Sequence, residues 1–395
     1  MTSVSGFAGL VGIIQRVLAT YRQPFFEKLA TTPELRLSVL AGQPLLCEAI
    51  QTADVLRIGS LRATRNHYLR GPAEFLCWQS GVIDWLCEFD PDVLIVEANP
   101  RLLSNWLAIE WMKYQKRPIL GWGLGELNRS GSPLLCRTRG LIARRLVRSM
   151  DAMIAYSSKA ARDYVSAGMC ADRVFIAYNA IDNEESERYL EEFGRDMTWV
   201  RRWKESLQLD PFLPIVLYVG RLVPQKKVDL LMQACLPLFD RCQLLIVGDG
   251  PLRAELESQA LLNGNPIRFI GHQSGETLAK CFIASDVFVL PGSGGLAVHQ
   301  AMSYGNPVIV SFGDGTEADF VREGMNGVFV RPGDVDDLGR RIADLLAQPE
   351  LRQVMSQASL SIVRNEMSMN SMVATFSRAL AVVTNTASKT KRASW

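Results

Sequence analysis

The amino-acid sequence predicts an α/β protein with two doubly wound parallel sheets, each covered by helices on both faces. Short apolar runs rich in β-branched residues alternate with longer stretches of helical period along most of the chain. This alternation is typical of parallel strands buried on both sides. About a dozen such runs exceed one comfortable sheet, so two domains are expected.

The predicted strands form two sets, separated by a charged segment. The first set is Leu10–Gln15, Leu35–Ala41, Val93–Glu97, Pro118–Gly121, Ala152–Tyr156 and Val174–Ala177. The second set is Ile215–Val219, Gln243–Val247, Ile267–Ile270, Val287–Leu290, Val308–Ser311 and Gly327–Val330. Helical periods between them include Pro24–Leu29, Leu103–Tyr114, Ser157–Ala167, Val228–Leu238 and Pro251–Leu262.

The segment between the sets, Asp182–Pro214, is highly charged and carries two prolines near its end. We place the domain boundary there, with an N-terminal domain over residues 1–190 and a C-terminal domain over residues 205–364. After Pro349 the chain predicts two or three helices, to about Val383, and no further strand.

Composition narrows the class of protein. The 395 residues are 48% hydrophobic, enough for two medium-sized cores. Lys and Arg total 43 against 41 Asp and Glu, a net charge of +2, which argues against a dedicated nucleic-acid binder. No apolar run approaches the roughly 18 residues that span a bilayer. We interpret Gly6–Ile14 as a first buried strand, because no basic residue precedes it as in a signal peptide.

Cysteine and histidine usage predicts neither disulfides nor a metal site. The eight cysteines are scattered without a CxxC pair, as reduced core thiols are. The three histidines form no cluster, so a zinc site is not expected. We therefore expect a cytoplasmic protein, soluble or peripheral to a membrane, with no metal and no cofactor.

One glycine-rich stretch, PGSGGLAVHQAMSYGNPVIV over Pro291–Val310, combines a turn with a following helix. We predict a strand ending at Leu290, a tight loop over Pro291–Gly295 and a helix over Leu296–Tyr304. Glycines let backbone N–H groups approach a ligand closely, and a helix N-terminus adds partial positive charge. The stretch is consistent with an anion site, although any strand-to-helix turn favours glycine.

Two further turns strengthen the anion interpretation. Tyr218–Lys227 (YVGRLVPQKK) places Gly220 at a strand end, followed by Arg221 and Lys226 before a helix. An arginine fork with a lysine point charge suits a diphosphate. Gly248-Asp-Gly-Pro is a third glycine turn at a strand end. Together the three turns and two cations predict a phosphorylated ligand.

At these motifs the sequence resembles family 4 retaining glycosyltransferases, which have the GT-B fold. The match covers roughly Ile215–Gln353 through VGRLVPQKK, VGDGPLRAELE, FIGHQSGETLAKCFIASDVFVLPG, GGLAVHQAMSYGNPVI and NGVFVRPGD. The first half resembles a subset of the same family through QRVLATYRQPFFEKLA, PDVLIVEANPRLLS, ILGWGLGE and DAMIAYSSKAARDYVSAGMCADRVFIAYNAID. The resemblance implies two Rossmann-like domains whose sheets face a central cleft.

The resemblance implies a nucleoside-diphosphate sugar as donor and a glycan or lipid-linked acceptor, as in cell-envelope polysaccharide synthesis. Arg221 and Lys226 would neutralise the leaving diphosphate. The backbone at the glycine turns would contact the same phosphates, Glu317 would lie near the donor sugar, and His272 would border the base. These backbone positions are Gly220, Gly292, Gly294, Gly295 and Leu296.

On the N-terminal side, the resemblance implies that the Gln15–Pro24 loop faces donor and acceptor. The helices over about residues 365–390 would return to pack on the N-terminal domain. This fold ordinarily needs no structural metal, and the family commonly works at the cytoplasmic face of a membrane.

The sequence departs from the family at several positions. Members usually carry two glutamates seven residues apart, where this chain has Gly292 and Gln300. Gln300 can still hydrogen-bond a ribose diol, whereas Gly292 offers only backbone. Lys227 replaces a usual glycine, and Leu124 stands where some relatives have histidine.

Three interpretations of these departures stay open. The first is an active, divergent subgroup, since a retaining front-face transfer needs no side-chain nucleophile. The second is an inactive partner subunit that only binds a nucleotide sugar. The third is another GT-B enzyme, such as a phosphorylase or an epimerase.

Other polar residues have simpler interpretations. The acidic run from Asp334 to Asp337 precedes a helical stretch and is interpreted as an N-terminal cap rather than a metal motif. For His299, packing or surface placement is favoured over catalysis. Glu97 and Asn99 after one strand, and Trp122 and Glu126 after the next, are candidates for acceptor contacts.

The segment Arg137–Met150 (RTRGLIARRLVRSM) interleaves five arginines with Leu, Ile and Val. On a helix this pattern predicts a basic amphipathic face that can rest on anionic lipid. An ordinary solvated surface helix is the alternative.

Overall fold

The structure is a computed structural model, and it describes residues 7–45, 48, 50–69, 76–125, 133–194, 196–262, 266–313 and 315–392. For residues 133–136 and 386–392 it describes the backbone alone. The chain forms two compact units: Met1–Asn179 together with Met369–Trp395, and Ala180–Ser368. Both are α/β units with parallel sheets, which confirms the predicted fold class.

The first unit contains a seven-stranded parallel sheet in the order β3-β2-β1-β6-β7-β8-β9. Its strands are β1 Gly9–Val17, β2 Leu35–Gly42, β3 Ser60–Ala63, β6 Val93–Glu97, β7 Ile119–Gly123, β8 Ala152–Ala155 and β9 Val174–Ile176. A separate antiparallel hairpin pairs β4 Asn66–Tyr68 with β5 Cys77–Gln79. The strand order reverses between β1 and β6, so this pair marks the topological switch point of the sheet.

Helices cover both faces of the first sheet, because its strands are apolar on both sides. Val11, Ile13 and Ile14 of β1 are all fully buried. On one face the Trp122 ring packs against Phe25 and Phe376, with ring centroids 5.6 and 5.1 Å apart. The helices are α1 Gln23–Ala30, α2 Val82–Phe89, α3 Leu103–Tyr114, α4 Pro133–Arg148, α5 Ser158–Ser166 and α15 Met369–Arg392.

The second unit contains a six-stranded parallel sheet in the order β12-β11-β10-β13-β14-β15. Its strands are β10 Ile215–Val219, β11 Gln243–Val247, β12 Ile267–Phe269, β13 Val287–Leu290, β14 Val308–Ser311 and β15 Gly327–Val330. The switch point lies between β10 and β13, which pair in parallel through Val216 and Val287. All six strands lie within a residue of their predicted positions.

The helices of the second unit begin in the charged segment that sequence analysis assigned to the boundary. They are α6 Asn183–Phe193, α7 Trp199–Ser206, α8 Val228–Cys235, α9 Arg253–Leu262, α10 Gly275–Ile283, α11 Gly295–Ser303, α12 Glu317–Phe320, α13 Val335–Leu346 and α14 Pro349–Asn365. The predicted helix Val228–Leu238 ends early and continues as a 3₁₀ turn over Leu236–Leu238, because Pro237 cannot donate the helical hydrogen bond.

The acidic run before α13 is a helix cap, as predicted. The Asp334 side chain accepts a 2.8 Å hydrogen bond from the Asp337 backbone N–H. Asp337 accepts from the backbone N–H of Arg331 at 3.0 Å, and this bond, with the surrounding arginines, lowers its pKa. Among the residues that the structure describes, no group of three or more His, Cys, Asp or Glu side chains could hold a metal ion.

The sequence analysis did not predict strand β3 or the hairpin of β4 and β5. β3 (SLRA) is mostly exposed and polar, so it lacks the apolar run that identified the other strands. Within the described part of the chain, none of the helices combines the length and apolarity that crossing a bilayer requires.

Candidate functional site

The switch point of the second sheet brings together two loops that the sequence analysis singled out. The Gly220–Lys227 loop follows β10, and the Pro291–Gly294 loop follows β13, the neighbouring strand. Ligands of open α/β sheets bind beyond the carboxyl ends of the strands at such a point. This edge of the second unit is therefore where a ligand site is expected.

A buried tyrosine, Tyr218, forms a hydrogen bond with the loop after β10. The Tyr218 side chain is fully buried, and its hydroxyl donates a 3.0 Å hydrogen bond to the Arg221 carbonyl. Burial raises the pKa of Tyr218, so the hydroxyl stays a donor. Arg221 itself is exposed, and within the described part of the chain no carboxylate forms an ion pair with it. Its guanidinium is thus available to a ligand.

The two loops contact each other through Lys226 and Ser293. The Lys226 ammonium donates to the Ser293 carbonyl, and the Ser293 N–H donates to the Gln225 carbonyl at 3.3 Å. These contacts fix the lysine charge against the glycine loop. The charge of Lys226 therefore lies where both loops meet, and Arg221 belongs to the same loop.

Two glycines make this close approach possible. A Cβ atom at Gly292 would lie 2.2 Å from the Gln225 carbonyl oxygen and 2.6 Å from Lys226 Cα. At Gly294, where φ is +145°, a Cβ atom would lie 2.1 Å from Lys226 Nζ. A side chain at 292 would displace the backbone of the lysine loop, whereas one at 294 would displace the end of the Lys226 side chain and adopt a strained positive φ. The absence of the family's first glutamate at 292 is therefore part of how these loops pack.

Glu317 lies inside this loop cluster and is fully buried. Its Oε1 accepts from the Gly294 N–H and its Oε2 from the Gly315 N–H, each at 3.0 Å. Both carboxylate oxygens thus hold backbone amides of the loops. The Gly294 amide, predicted as a phosphate ligand, already has a partner. The prediction that Glu317 lies near a donor sugar stays a prediction.

Helix α11 continues from the glycine loop and carries Leu296, His299 and Gln300. Leu296 and Gln300 are partly exposed, whereas His299 is fully buried. A 2.7 Å hydrogen bond joins His299 Nε2 to the Met367 carbonyl. Burial lowers the pKa of His299 to about 4, against the opposing effect of that carbonyl. The packing interpretation of His299 fits this position.

A third loop cluster follows β11 and β12. The Gly248 N–H donates to the Gly271 carbonyl at 2.8 Å, and the Leu222 N–H to the Asp249 carbonyl at 2.9 Å. These bonds tie the loops after β10, β11 and β12 into one row. His272 is exposed at the end of this row, close enough to Asp249 to contribute to lowering its pKa, after the Gly250 N–H and Arg253.

The structure thus brings Lys226, Gly292, Gly294 and Glu317 into one connected cluster, and Arg221 lies on the same loop as Lys226. Gly220 and Gly295 flank it, Leu296 and Gln300 extend from it on α11, and His272 lies two strands away from β10. Sequence analysis missed two of its contacts, because nothing in the sequence marks the Tyr218 hydroxyl or the Gln225 carbonyl as a loop anchor.

The GT-B fold consists of two doubly wound units in one chain, and comparisons with solved structures show that fold here. The structure of Anabaena Alr3699/HepE in complex with UDP superposes with a TM-score of 0.73 at 15% identity, covering 94% of this chain and 99% of the other. The same Anabaena protein in complex with UDP-glucose gives a TM-score of 0.71 over 95% of this chain.

Sequence comparisons point to glycosyltransferases. Residues 200–361 match the family model described as glycosyl transferases group 1. The chain is 30% identical over 322 residues to the sulfoquinovosyl transferase SQD2 of Arabidopsis thaliana, covering 76% of this chain and 59% of that protein. It is 28% identical over 269 residues to a GDP-mannose-dependent alpha-mannosyltransferase of Mycobacterium tuberculosis, covering 66% of this chain and 64% of that protein. The chain spans less than two thirds of the length of these relatives.

Proposed function

We propose that the protein is a retaining glycosyltransferase that moves a sugar from a nucleoside diphosphate to a hydroxyl of a glycan or lipid-linked acceptor. The observation that carries the proposal is the contact of Lys226 with the glycine loop at the switch point of the second sheet, with exposed Arg221 on the same loop as Lys226. The group 1 match over residues 200–361 covers the same unit.

In the proposed reaction, the bond between the anomeric carbon and the diphosphate oxygen breaks while the acceptor oxygen bonds to that carbon. The acceptor proton passes to the leaving diphosphate. Arg221 and Lys226 would stabilise the negative charge that develops on this leaving group. The N-terminal end of α11, at Gly295 and Leu296, adds backbone N–H groups and a favourable dipole.

The side chains of the cluster favour a retaining, front-face course over a double displacement. A double displacement needs a carboxylate nucleophile. Glu317 is the carboxylate of the described cluster, and both its oxygens accept bonds from backbone amides. Gly292 supplies none. Charge stabilisation of the diphosphate therefore has to supply most of the lowering of the barrier.

The donor class follows from the same cluster. Two cations and the amides beside them suit a diphosphate, and the Anabaena structural neighbour is in complex with UDP and with UDP-glucose. UDP-sugars are accordingly the first donors to test. Gln300 would hold the ribose and His272 would border the base. With Gly292 in place of a glutamate, contacts to the donor sugar must come from other groups.

The test is a turnover assay with UDP-, GDP- and ADP-sugars, reading nucleotide release in water and with added glycans. We expect release from at least one donor, with the transferred sugar retaining its anomeric configuration by NMR. Arg221→Ala and Lys226→Ala should each slow transfer by about 100-fold, or about 3 kcal/mol. Arg241→Ala, an exposed cation at the opposite edge of the same sheet, is the matched control and should keep full activity.

The alternatives give other outcomes in that assay. Nucleotide binding without turnover on any donor would favour the inactive partner subunit. Release that needs inorganic phosphate would indicate a phosphorylase, and conversion of the free sugar nucleotide would indicate an epimerase. Equal rates in wild type and both cation variants would contradict the assigned roles.

We also propose peripheral contact with the cytoplasmic face of an anionic membrane through α4. Arg137, Arg144 and Arg145 are exposed on this helix, and Leu141 between them is 65% exposed. An exposed aliphatic side chain flanked by arginines suits an interface of apolar chains and anionic headgroups. Such a position would bring the protein to a lipid-linked acceptor.

Co-sedimentation with vesicles tests this contact. Wild type should bind vesicles of phosphatidylcholine with 30% phosphatidylglycerol, and Arg144→Glu/Arg145→Glu should lower binding by at least about 30-fold, at roughly 1 kcal/mol per basic residue. Arg201→Glu/Arg202→Glu, at two adjacent exposed arginines of α7, is the control with the same change in net charge. Equal binding to pure phosphatidylcholine, or equal binding by the α4 variant, would contradict the proposal.

A further inference from the structure

The first unit has its own switch point, between β1 and β6, and polar side chains gather there. The chain leaves β1 at Val17 and reaches α1 through residues 18–22, while β6 ends at Glu97. The Glu97 Oε1 atom accepts a 2.8 Å hydrogen bond from the Arg16 N–H, which joins the two strand ends. Glycine turns are absent from both strand ends, so any recognition here has to come from side chains.

Arg22 is the central residue of this cluster. Its guanidinium donates to Gln15 Oε1 at 2.8 Å and to the Tyr156 hydroxyl at 2.6 Å. Its Cζ atom lies 4.8 Å from the centre of the Trp122 ring, a cation–π contact. Both of these acceptors are neutral, and in the part of the chain that the structure describes no carboxylate forms an ion pair with Arg22.

Two side chains of the cluster, Arg22 and Glu97, can each form a further hydrogen bond. Arg22 Nε is buried, and no atom of the described residues accepts a hydrogen bond from it. Glu97 is partly exposed, and among the described residues no cation forms an ion pair with it, although Arg22 is close enough to lower its pKa against the rise caused by burial. A buried donor without a partner is costly. A group that accepts from Arg22 and donates to Glu97 would satisfy both side chains.

The charges of Arg22 and Glu97 indicate which chemical group of a ligand would bind to them. Arg22 and Glu97 cancel formally, and the other member of this region, Arg16, is already paired with Glu48 at 2.7 Å. An anionic ligand would gain Arg22 but face Glu97. A hydroxyl both donates and accepts, and therefore satisfies both residues.

The cluster also has an exposed aromatic side. Tyr21 is 50% exposed, and the Arg22 Cζ atom lies 5.9 Å from its ring centre. An exposed tyrosine beside polar hydrogen-bonding groups is a surface on which a sugar ring can lie, with its apolar face on the aromatic ring.

We infer that Tyr21, Arg22 and Glu97 bind the acceptor, and that the acceptor is a neutral polyol or sugar with one hydroxyl between Arg22 and Glu97. The inference rests on the proposed function and adds to it the residues and the chemical class of the acceptor. It assigns Glu97 and Arg22 to acceptor binding and leaves the donor to the second unit.

The experiment uses the full chain and the donor that releases nucleotide in the assay above. Nucleotide release is measured with a panel of neutral sugars, namely methyl glucosides, methyl galactosides, methyl mannosides, maltose and myo-inositol, with diacylglycerol–phosphatidylcholine vesicles, and with glucose 6-phosphate and mannose 6-phosphate. We expect a neutral hydroxyl compound to raise release above that in water and to form a glycoside product.

The variants then test the residues with that acceptor. Glu97→Gln keeps an oxygen for the Arg16 N–H but removes the charge, and should raise the KM for the acceptor about tenfold while the Kd for the nucleoside diphosphate stays unchanged. Tyr21→Ala, an exposed position where misfolding is not expected, should raise the same KM severalfold. Tyr114→Ala is the matched control, because Tyr114 is 84% exposed at the C-terminal end of α3, away from the strand ends that carry the cluster.

Stimulation by phosphorylated sugars alone, or by no compound of the panel, would overturn the inference. So would an unchanged acceptor KM in both Glu97→Gln and Tyr21→Ala. Each of these outcomes presupposes that wild type releases nucleotide in water. If no donor is consumed under any condition, the proposed function itself has failed, and the two failures are thus distinct.

Discussion

The two sheets share one topology, yet their switch points are built from different parts of the chain. At β10 and β13 the loops are rich in glycine, and the Lys226 ammonium lies against the backbone of the second loop. At β1 and β6 the strand ends carry Gln15, Arg22 and Glu97, whose side chains fill the same position. Backbone amides beside cations suit phosphate, whereas side chains of both signs suit hydroxyls.

The two carboxylates at these points show the difference most clearly. Glu317 is fully buried, and both its carboxylate oxygens accept hydrogen bonds from backbone amides of the second unit. Glu97 is partly exposed and uses one oxygen on the Arg16 N–H. A glutamate near a site is thus a loop anchor in one unit and a candidate ligand in the other, and only its contacts tell the two apart.

Gly292→Glu alters the glycine loop at the switch point of the second unit, and of these variants it should have the largest effect on the rate of transfer. Although the change restores the residue that resembling enzymes carry, its Cβ atom would lie 2.2 Å from the Gln225 carbonyl. We expect transfer to fall by at least about 100-fold, because the lysine loop must move.

Gly292→Ala is the matched variant for that test. The Cβ atom alone causes the clash, so alanine should lower transfer nearly as much as glutamate in the same nucleotide-release assay. A glutamate variant that transfers as fast as wild type, or faster, would show that the loops are not packed as described.

His299 sharpens the comparison, because it holds the helix that leaves the glycine loop. Its folded pKa, about 4, lies below the unfolded value of 6.5, so the unfolded chain binds the proton more tightly. Stability should fall as pH drops below 6.5 and level off near pH 4, by about 3 kcal/mol in total from this group.

Urea unfolding at several pH values measures that dependence. Gln at position 299 can still donate to the Met367 carbonyl but does not titrate, so His299→Gln should lose this part of the slope. The informative quantity is the difference between the two proteins, since other groups titrate in both. An identical pH dependence would mean that His299 is not buried in its neutral form.

Glu317→Gln tests the anchoring carboxylate and should have the smallest effect of the three. The amide keeps one oxygen as acceptor, while its NH₂ group faces a backbone N–H that then lacks a partner, at a cost of about 1–3 kcal/mol. Part of this cost should appear as a KM for the donor raised about tenfold. Glu276→Gln, an exposed glutamate of α10, is the control, and an unaffected donor KM in Glu317→Gln would remove the anchoring role.

Sequence analysis located most of the strands and both loops of the second site, because buried parallel strands are apolar throughout and glycine turns stand out between them. The clusters themselves depend on strand order, which the sequence does not encode locally. Nothing before folding brings Arg22 next to Tyr156, 134 residues away. The glycine at 292 was noted as a departure, but its meaning required the neighbouring Gln225 carbonyl.

The central claim is that Arg221, Lys226 and the glycine loop bind one diphosphate. It is tested most directly by calorimetric titration of the wild type, both single alanine variants and the double variant with a nucleoside diphosphate and with the matching nucleoside. We predict that wild type binds the diphosphate far more tightly than the nucleoside. Each single variant should lose most of this difference in affinity, and the double variant should lose little more. Variants that bind the diphosphate as tightly as wild type would contradict the account.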